Sequence, residues 1–480
     1  MNYRIIKRTL GWLLLFETVF FSVPVITALV YGEKEIYHFL LTMAGTAVLG
    51  GLCLIGKSKD DKLFAKEGIV ITAASWIFLS LFGAIPLYST GSYPTYIDAL
   101  FETVSGFTTT GASVLTGDAI EALPKCILMW RSFTHWIGGM GVLVLIMVFL
   151  PLCGGGRNIN IMKAESPGPS VGKLLPKMRS SARLLYLIYT VLTVLEFIML
   201  VFDMPVFDAI NTAFATAGTG GFSVRGDGFA GYSNYSQIVV IVFMTLFSIN
   251  FASYFFMLCG KWKEAFNTEV RAFLIVLVSA ITLITINISV TNIMQVGEAI
   301  KHSAFSVSSV MSTTGFATAD FNTWPAFSKT ILVLCMFVGA CAGSTGGGMK
   351  VSRFVIMFKG VRHETQRLLH PKRIKKLTMD GKEVEHEVVR GVNNYLIAFI
   401  AIFVLSLLVI SLDGQDLVTN FTAVTATMNN IGPGLGAVGP AGNFGGFSVL
   451  SKIVFIFDML IGRLEIFPIL LLFAPATWRK

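Results

Sequence analysis

Charge is scarce in this chain of 480 residues: Asp, Glu, Lys and Arg make up only 14% of it, against 54% hydrophobic residues. Soluble domains carry about 25% charged residues, so a set of two or three water-exposed domains is excluded. Paired cysteines are missing too. The six cysteines, Cys53, Cys126, Cys153, Cys259, Cys335 and Cys341, form no CxxC pair and lie in or beside apolar stretches, which argues against a zinc site or a disulfide framework. The six histidines (His38, His135, His302, His363, His370, His386) form no HExxH pair, and most fall between apolar runs. His135 and His302 read as hydrogen-bonded structural residues. Nucleotide and nucleophile motifs fail as well. Gly343 to Gly348 has the P-loop interval, but Met349 stands before Lys350 and no strand precedes it. Ala342 occupies the place where a nucleophile elbow requires glycine. An enzyme is therefore not expected.

Long apolar runs are what the chain has instead, with a mean hydropathy of +0.72. Ten approach the roughly 20 residues that cross a bilayer as a helix: 11–31, 36–56, 68–88, 126–152, 183–203, 235–260, 270–290, 328–358, 391–411 and 450–476. The first is long for a signal peptide and lacks a small-residue cleavage site, so it reads as a retained helix.

The net charge of +9 follows topology rather than a nucleic-acid surface. Basic residues cluster at alternate ends of the runs: Arg4, Lys7 and Arg8; Lys57, Lys59 and Lys62; Arg157 to Arg183; Lys261 to Arg271; Lys359 to Arg390; Arg479 and Lys480. The positive-inside rule places these clusters, and both termini, on the cytoplasmic side of a polytopic protein of inner-membrane type. No nucleic-acid partner is expected. The lipid bilayer is the expected surroundings, and the basic loop 359–390 offers a surface for an acidic partner.

Between the spans lie four segments too short and too polar to cross. They begin near Asp98, Asp208, Ala299 and Asp416, and each starts helix-like and ends in glycine: "DALFETVSGFTTTG", "DAINTAFATAGTGG", "KHSAFSVSSVMSTTG" and "NFTAVTATMNNIG". Recurrence at this scale is a structural signal. The implied fold is an all-α polytopic membrane protein with four span–pore-helix–span repeats around a pseudo-fourfold pore, preceded by two extra helices. Its divisions fall at 1–66, 67–182, 183–268, 269–390 and 391–480. Irregular backbone is tolerated at membrane depth only where protein buries it or water lines it. Four glycine turns around one axis would aim carbonyl oxygens at a common centre, and half-helices ending there would add their negative dipole ends. Rings of carbonyls can replace the hydration shell of potassium, so each turn reads as one quarter of a selectivity filter.

At this point the residues resemble a known family, the Trk/Ktr/HKT potassium transporter superfamily, in its bacterial TrkH/TrkG membrane-subunit branch. Besides the four turns, the resemblance rests on "WRSFTHWIGGMG" (Trp130–Gly141), "GACAGSTGGGMKVSR" (Gly339–Arg353), "NNIGPGLGAVGP" (Asn429–Pro440) and "GRLEIFP" (Gly462–Pro468), and it covers essentially the whole chain. It implies a filter at Thr110–Gly111, Gly220–Gly221, Thr314–Gly315 and Ile431–Gly432, with potassium as the transported ion and rubidium as its surrogate. In "TGG" either Gly220 or Gly221 matches; Phe222 after it, and its interval from Asp208, favour Gly221. The fourth element departs with Ile and Pro, so modest selectivity for potassium over sodium is expected. The resemblance also implies a gate: an intramembrane loop at Gly343, Ser344, Thr345, Gly346, Gly347 and Gly348, where dense glycine disfavours continuous helix, with Arg463 facing the pore. An ion pair of Arg463 with Asp458 or Glu465 is the structural alternative for that charge, which is costly in a span. For Lys350 and Arg353, ordinary anchoring at the cytoplasmic edge stands as the alternative to a pore role. Homodimerisation and a cytoplasmic nucleotide-binding TrkA ring are implied as well, the ring docking on loops 152–182 and 359–390.

The alternative class is a sodium- or proton-coupled secondary cation transporter, which calls for a two-part inverted repeat and acids near the midplane. Here the repeats number four and the carboxylates, such as Glu102 and Glu196, are scattered. Glu102 is a candidate for an extracellular cation-attracting group.

Overall fold

The computed structural model describes residues 1–55, 65–141, 178–370 and 376–478. Lys57, Lys59, Lys62, Cys153, Arg157, most of the loop 152–182, and the terminal Arg479 and Lys480 lie outside the described residues.

The described chain is mainly helical, with one two-stranded antiparallel hairpin in which Thr378 faces Glu383 and Met379 faces Lys382. Among the described residues, six helices are long and apolar enough to cross a membrane: Tyr3–Tyr31, Ile36–Leu54, Lys66–Ser89, Ser181–Val201, Thr268–Val290 and His386–Asp413. The first is interrupted for one residue at Phe21. Pro24 explains this, since it has no N–H and its ring crowds the carbonyl four residues earlier.

The remaining runs correct the expectation of ten continuous spans. Run 126–152 is helical over Lys125–Gly139, Gly141 then takes a φ of 82°, and residues 142–152 lie outside the described residues. Run 235–260 is two helices, Asn234–Ser248 and Phe251–Leu258, set at 91° to each other. The Asn250 side chain makes that corner by accepting from Ala252 N at 2.8 Å, so the second helix starts afresh. Run 328–358 stops after Val338, where Gly339 has a φ of 67°. Run 450–476 stops at Arg463; Glu465 and Ile466 both have positive φ, and Phe467 N bonds Glu465 O at 2.8 Å across Ile466. That γ-turn is rare and strained for a β-branched residue. An interruption read from glycine density in the third repeat thus has counterparts in the others. Apolar composition conceals them because hydropathy counts side chains, whereas these breaks are backbone events.

The four half-helices are Tyr96–Phe107, Val206–Gly218, Val296–Ser312 and Leu417–Met428. Two have side-chain starts: Thr95 accepts from Asp98 N at 3.1 Å, and Asp416 from Thr419 N at 3.0 Å. Each half-helix packs between the span before it and the broken helix after it. Each broken helix also touches the next half-helix: Lys125–Gly139 meets Val206–Gly218, Asn234–Ser248 meets Val296–Ser312, and Ala326–Val338 meets Leu417–Met428. Val449–Arg463 returns to Tyr96–Phe107 and closes the circle. Small residues permit close contact in membranes, where lipid offers no hydrophobic drive for helix pairing. A Cβ on Gly138 would lie 1.9 Å from the Phe107 carbonyl oxygen, and one on Gly218 2.2 Å from that of His135.

Candidate ion-conducting site

Each half-helix ends in the same way. The residue two before the turn glycine is left-handed: Thr109 (φ 57°), Thr219 (55°), Thr313 (61°) and Asn430 (53°). The following amide reaches back five residues, Thr110 N to Ser105 O at 2.8 Å, Gly220 N to Ala215 O at 2.8 Å, Thr314 N to Ser309 O at 2.9 Å and Ile431 N to Ala426 O at 2.9 Å. These are Schellman ends, which normally place glycine in the left-handed seat. Threonine there is strained, and strain of this kind clusters at functional sites.

Gly111 (φ 77°), Gly221 (75°), Gly315 (86°) and Gly432 (95°) follow in turn. Gly221, rather than Gly220, is therefore the positional equivalent of the other three glycines. A Cβ on Gly111 would lie 1.8 Å from Gly220 O, on Gly221 1.9 Å from Thr314 O, on Gly315 2.1 Å from Ile431 O and on Gly432 2.9 Å from Thr110 O. Every turn glycine thus rests against the carbonyl of the next segment, and the fourth rests against that of the first. All eight predicted filter residues come together in one closed ring.

On one side of the ring the limbs that follow the glycines open into a vestibule of about 220 Å³, whose lining includes Arg131, Asp227 and Asp320. On the other side lies the glycine loop, which contacts the residues that precede the glycines. Gly347 N donates to Thr313 Oγ1 at 2.6 Å, and Gly348 N to Asn429 O at 2.9 Å. The loop also hooks into the 91° corner of the second repeat: Cys341 N bonds Ser248 O at 3.0 Å, and Phe251 N bonds Gly343 O at 3.1 Å. Arg463 joins three segments here. Its guanidinium donates to Thr109 Oγ1 (3.2 Å), Thr345 O (2.9 Å), Gly138 O (2.5 Å) and Gly139 O (2.7 Å). Asp458 accepts from Ser406 at 2.7 Å, and Glu465 pairs with Arg353 at 2.5 Å.

Two expectations need correction. Lys350 and Arg353 are buried rather than at a solvent edge, and Lys350 Nζ bonds the Gly346 carbonyl within the loop. Glu102 does not face incoming cations. It is buried behind the first turn, paired with Arg131 at 2.6 Å, and it accepts from Ser113 Oγ (2.9 Å) and Val114 N (3.2 Å), bracing the outer limb. Outside the spans, Asp416 lies below the usual carboxylate range because Thr419 donates to it through hydroxyl and amide.

Sequence reading missed the left-handed residues, although Thr109, Thr219 and Thr313 recur two places before their glycines. It also assigned no site role to His135, whose Nδ1 lies 2.8 Å from Gly106 O while Nε2 accepts from Phe222 N at 3.3 Å. The ring so held is a neutral wedge between the first and second turns. His302 pairs with Thr318 Oγ1 at 2.9 Å, away from the ring. Among the described residues no cluster of His, Cys, Asp or Glu is arranged as a metal site. The ring's own oxygens are carbonyls.

Four pore helices around a closed carbonyl ring define a multi-span membrane transport protein. The TrkH profile, described as a cation transport protein, matches residues 36–480, and the chain belongs to that family of transporters rather than to enzymes. It is 34% identical to the Trk system potassium uptake protein TrkH of Salmonella typhimurium over 489 residues, with both chains covered fully. It is 33% identical to the Trk system potassium uptake protein TrkG of Escherichia coli over 486 residues, covering 100% of this chain and 99% of that one. The crystal structure of the potassium transporter TrkH from Vibrio parahaemolyticus superposes with a TM-score of 0.88 at 32% identity, covering 100% of both chains.

Proposed function

We propose that this protein takes up potassium across the inner membrane through a channel-like pore. The carbonyls of Thr110, Gly220, Thr314 and Ile431 replace the ion's water, and the turn glycines supply the backbone geometry. The observation that carries this reading is the closed ring in which each glycine abuts the next segment's carbonyl. Loop 343–348, held by Arg463 against the underside of the ring, is the gate. Its displacement opens the cytoplasmic path, and the Arg463 charge repels cations while the loop is in place. Both termini are cytoplasmic. The protein works as a homodimer, with a TrkA-type nucleotide-binding ring acting through the basic cytoplasmic loops.

The test is rubidium uptake into liposomes holding unlabelled potassium, comparing wild type, Gly315→Ser and a deletion of residues 343–348. Accumulation driven by the potassium-set voltage, altered ion preference in Gly315→Ser and raised flux in the deletion support the reading. Flux that requires an imposed sodium or proton gradient, with ion preference unchanged in Gly315→Ser, transfers the assignment to a coupled cation transporter. The buried carboxyls of Glu17 and Glu196, both within spans, are what that second reading would use.

A further inference from the structure

We infer that Glu269 is the clasp that holds the glycine loop shut, a positioning residue outside both the filter and the loop. This inference rests on the gate reading above. Glu269 lies in the first turn of the span Thr268–Val290, 5% exposed. A single oxygen of its carboxylate, Oε1, accepts from Ala342 N at 2.7 Å and from Ser352 N at 3.1 Å. Ala342 is the residue just before loop 343–348, and Ser352 is the second residue of the helix Val351–Leu369 that follows it. One oxygen therefore gathers both ends of the loop.

The chemistry suits the task. The first amides of a helix have no partner within it, and negative charge is favoured there. Glu269 satisfies one such amide and, with the same atom, the Ala342 amide of the incoming segment. Hydrogen bonds to a charged acceptor are the stronger kind. The contacts at the loop's centre are different in character. Gly347 to Thr313, Gly348 to Asn429, and Thr345 to Arg463 each join the loop to another repeat or to the pore residues. Opening breaks these central bonds. The ends stay fixed to a span of the same repeat, so the loop moves as a flap hinged on Glu269. Without the clasp, the ends separate and the central contacts lose their register.

Two readouts test this on the full-length protein in liposomes. In rubidium uptake, Glu269→Ala raises flux through the closed state by about tenfold or more, the scale set by losing two bonds to a charged group. Glu269→Gln, which keeps an oxygen at the same place, brings flux most of the way back to wild type. The rubidium-to-sodium preference is the same in all three. Combining Glu269→Ala with deletion of 343–348 adds nothing to the deletion alone. In hydrogen–deuterium exchange, Glu269→Ala speeds exchange of the peptides spanning 339–352, and Glu269→Gln does so far less. Unchanged exchange in Glu269→Ala overturns the clasp, as does a flux gain that multiplies with the deletion or a uniform loss of flux. Faster exchange together with a deletion that leaves flux unchanged keeps the clasp and removes the gate reading instead.

Discussion

The hydroxyl of Thr109, at the base of the first turn, accepts a hydrogen bond of 3.2 Å from Arg463, 354 residues later in the chain. The same guanidinium nitrogen donates to the Thr345 carbonyl of the glycine loop at 2.9 Å. The base of the first turn, the glycine loop and the end of the last broken helix are joined through one side chain. Glycine would fill the left-handed seat of Thr109 without strain, but it would offer Arg463 no oxygen. The strain and the contact are two aspects of one choice.

Arg463 should therefore tolerate no lysine. A guanidinium presents several fixed donors, whereas an ammonium is a point charge on a flexible stem. Arg463→Ala is expected to raise rubidium flux by unlatching the loop, and Arg463→Lys to lie closer to alanine than to wild type. If lysine restored wild-type flux, charge alone would account for the residue and the bridging geometry would be incidental.

His135 should matter through its neutral, two-sided hydrogen bonding. Replacing it with Phe keeps the aromatic contact with Phe222, whose ring centroid is 4.3 Å away. It strands the Phe222 amide, whereas the Gly106 carbonyl keeps Thr109 N at 3.1 Å. An orphaned buried group costs about 1–3 kcal/mol. A lower melting temperature in detergent and a degraded rubidium-to-sodium preference are expected together. A fall in melting temperature with preference intact would limit His135 to general packing.

The fourfold plan was legible because a motif of four short segments, each ending in glycine, repeats on a scale no single loop imitates. The places of the four turn glycines were legible for the same reason, down to Gly221 beside Phe222. The breaks in the second spans were not, except where glycines crowd at 339–348, since Ile249–Asn250 and Glu465–Ile466 leave hydropathy almost untouched. Long-range partners were hidden as well. Nothing local in the sequence ties Glu102 to Arg131, or Glu269 to Ala342 and Ser352, because those pairings depend on which repeats become neighbours. Glu102 read as a cation attractor because an acid near a filter suggests that role. Its burial against Arg131 reverses it.

The Glu102–Arg131 pair should behave as a buried brace. Its side chains are 0% and 2% exposed, and Arg131 also lies over the Phe222 ring, 4.1 Å from its centroid. Removing one partner of a buried pair costs about 3–5 kcal/mol because the other charge stays buried, while replacing both with apolar residues is much milder. Glu102→Ala is expected to lower thermal stability sharply, and Glu102→Leu with Arg131→Met to recover most of the loss. Equal loss in single and double variants would show that Ser113 and Val114, rather than Arg131, make Glu102 necessary.

The turn glycines should differ in tolerance according to the space beside them. All four have positive φ, which disfavours any side chain by about 1–2 kcal/mol. The clash then separates them. The nearest carbonyl oxygen to an added Cβ is at 1.8 Å for Gly111, 1.9 Å for Gly221, 2.1 Å for Gly315 and 2.9 Å for Gly432. Alanine at Gly111 or Gly221 has to push a neighbouring segment's backbone out of the ring, so loss of folded protein or of rubidium flux is expected there. At Gly315 the ring opens but the fold survives, with flux retained and ion preference reduced. Gly432→Ala should be the mildest of the four. Gly360 serves as the control, since it lies in a helix with nothing within 4 Å of an added Cβ. Alanine there gains about 1 kcal/mol of helix propensity and leaves transport alone. Melting temperature and the rubidium-to-sodium flux ratio, measured across the five variants, test the order. A Gly432→Ala variant more damaged than Gly111→Ala would mean that the ring's spacing does not govern the pore.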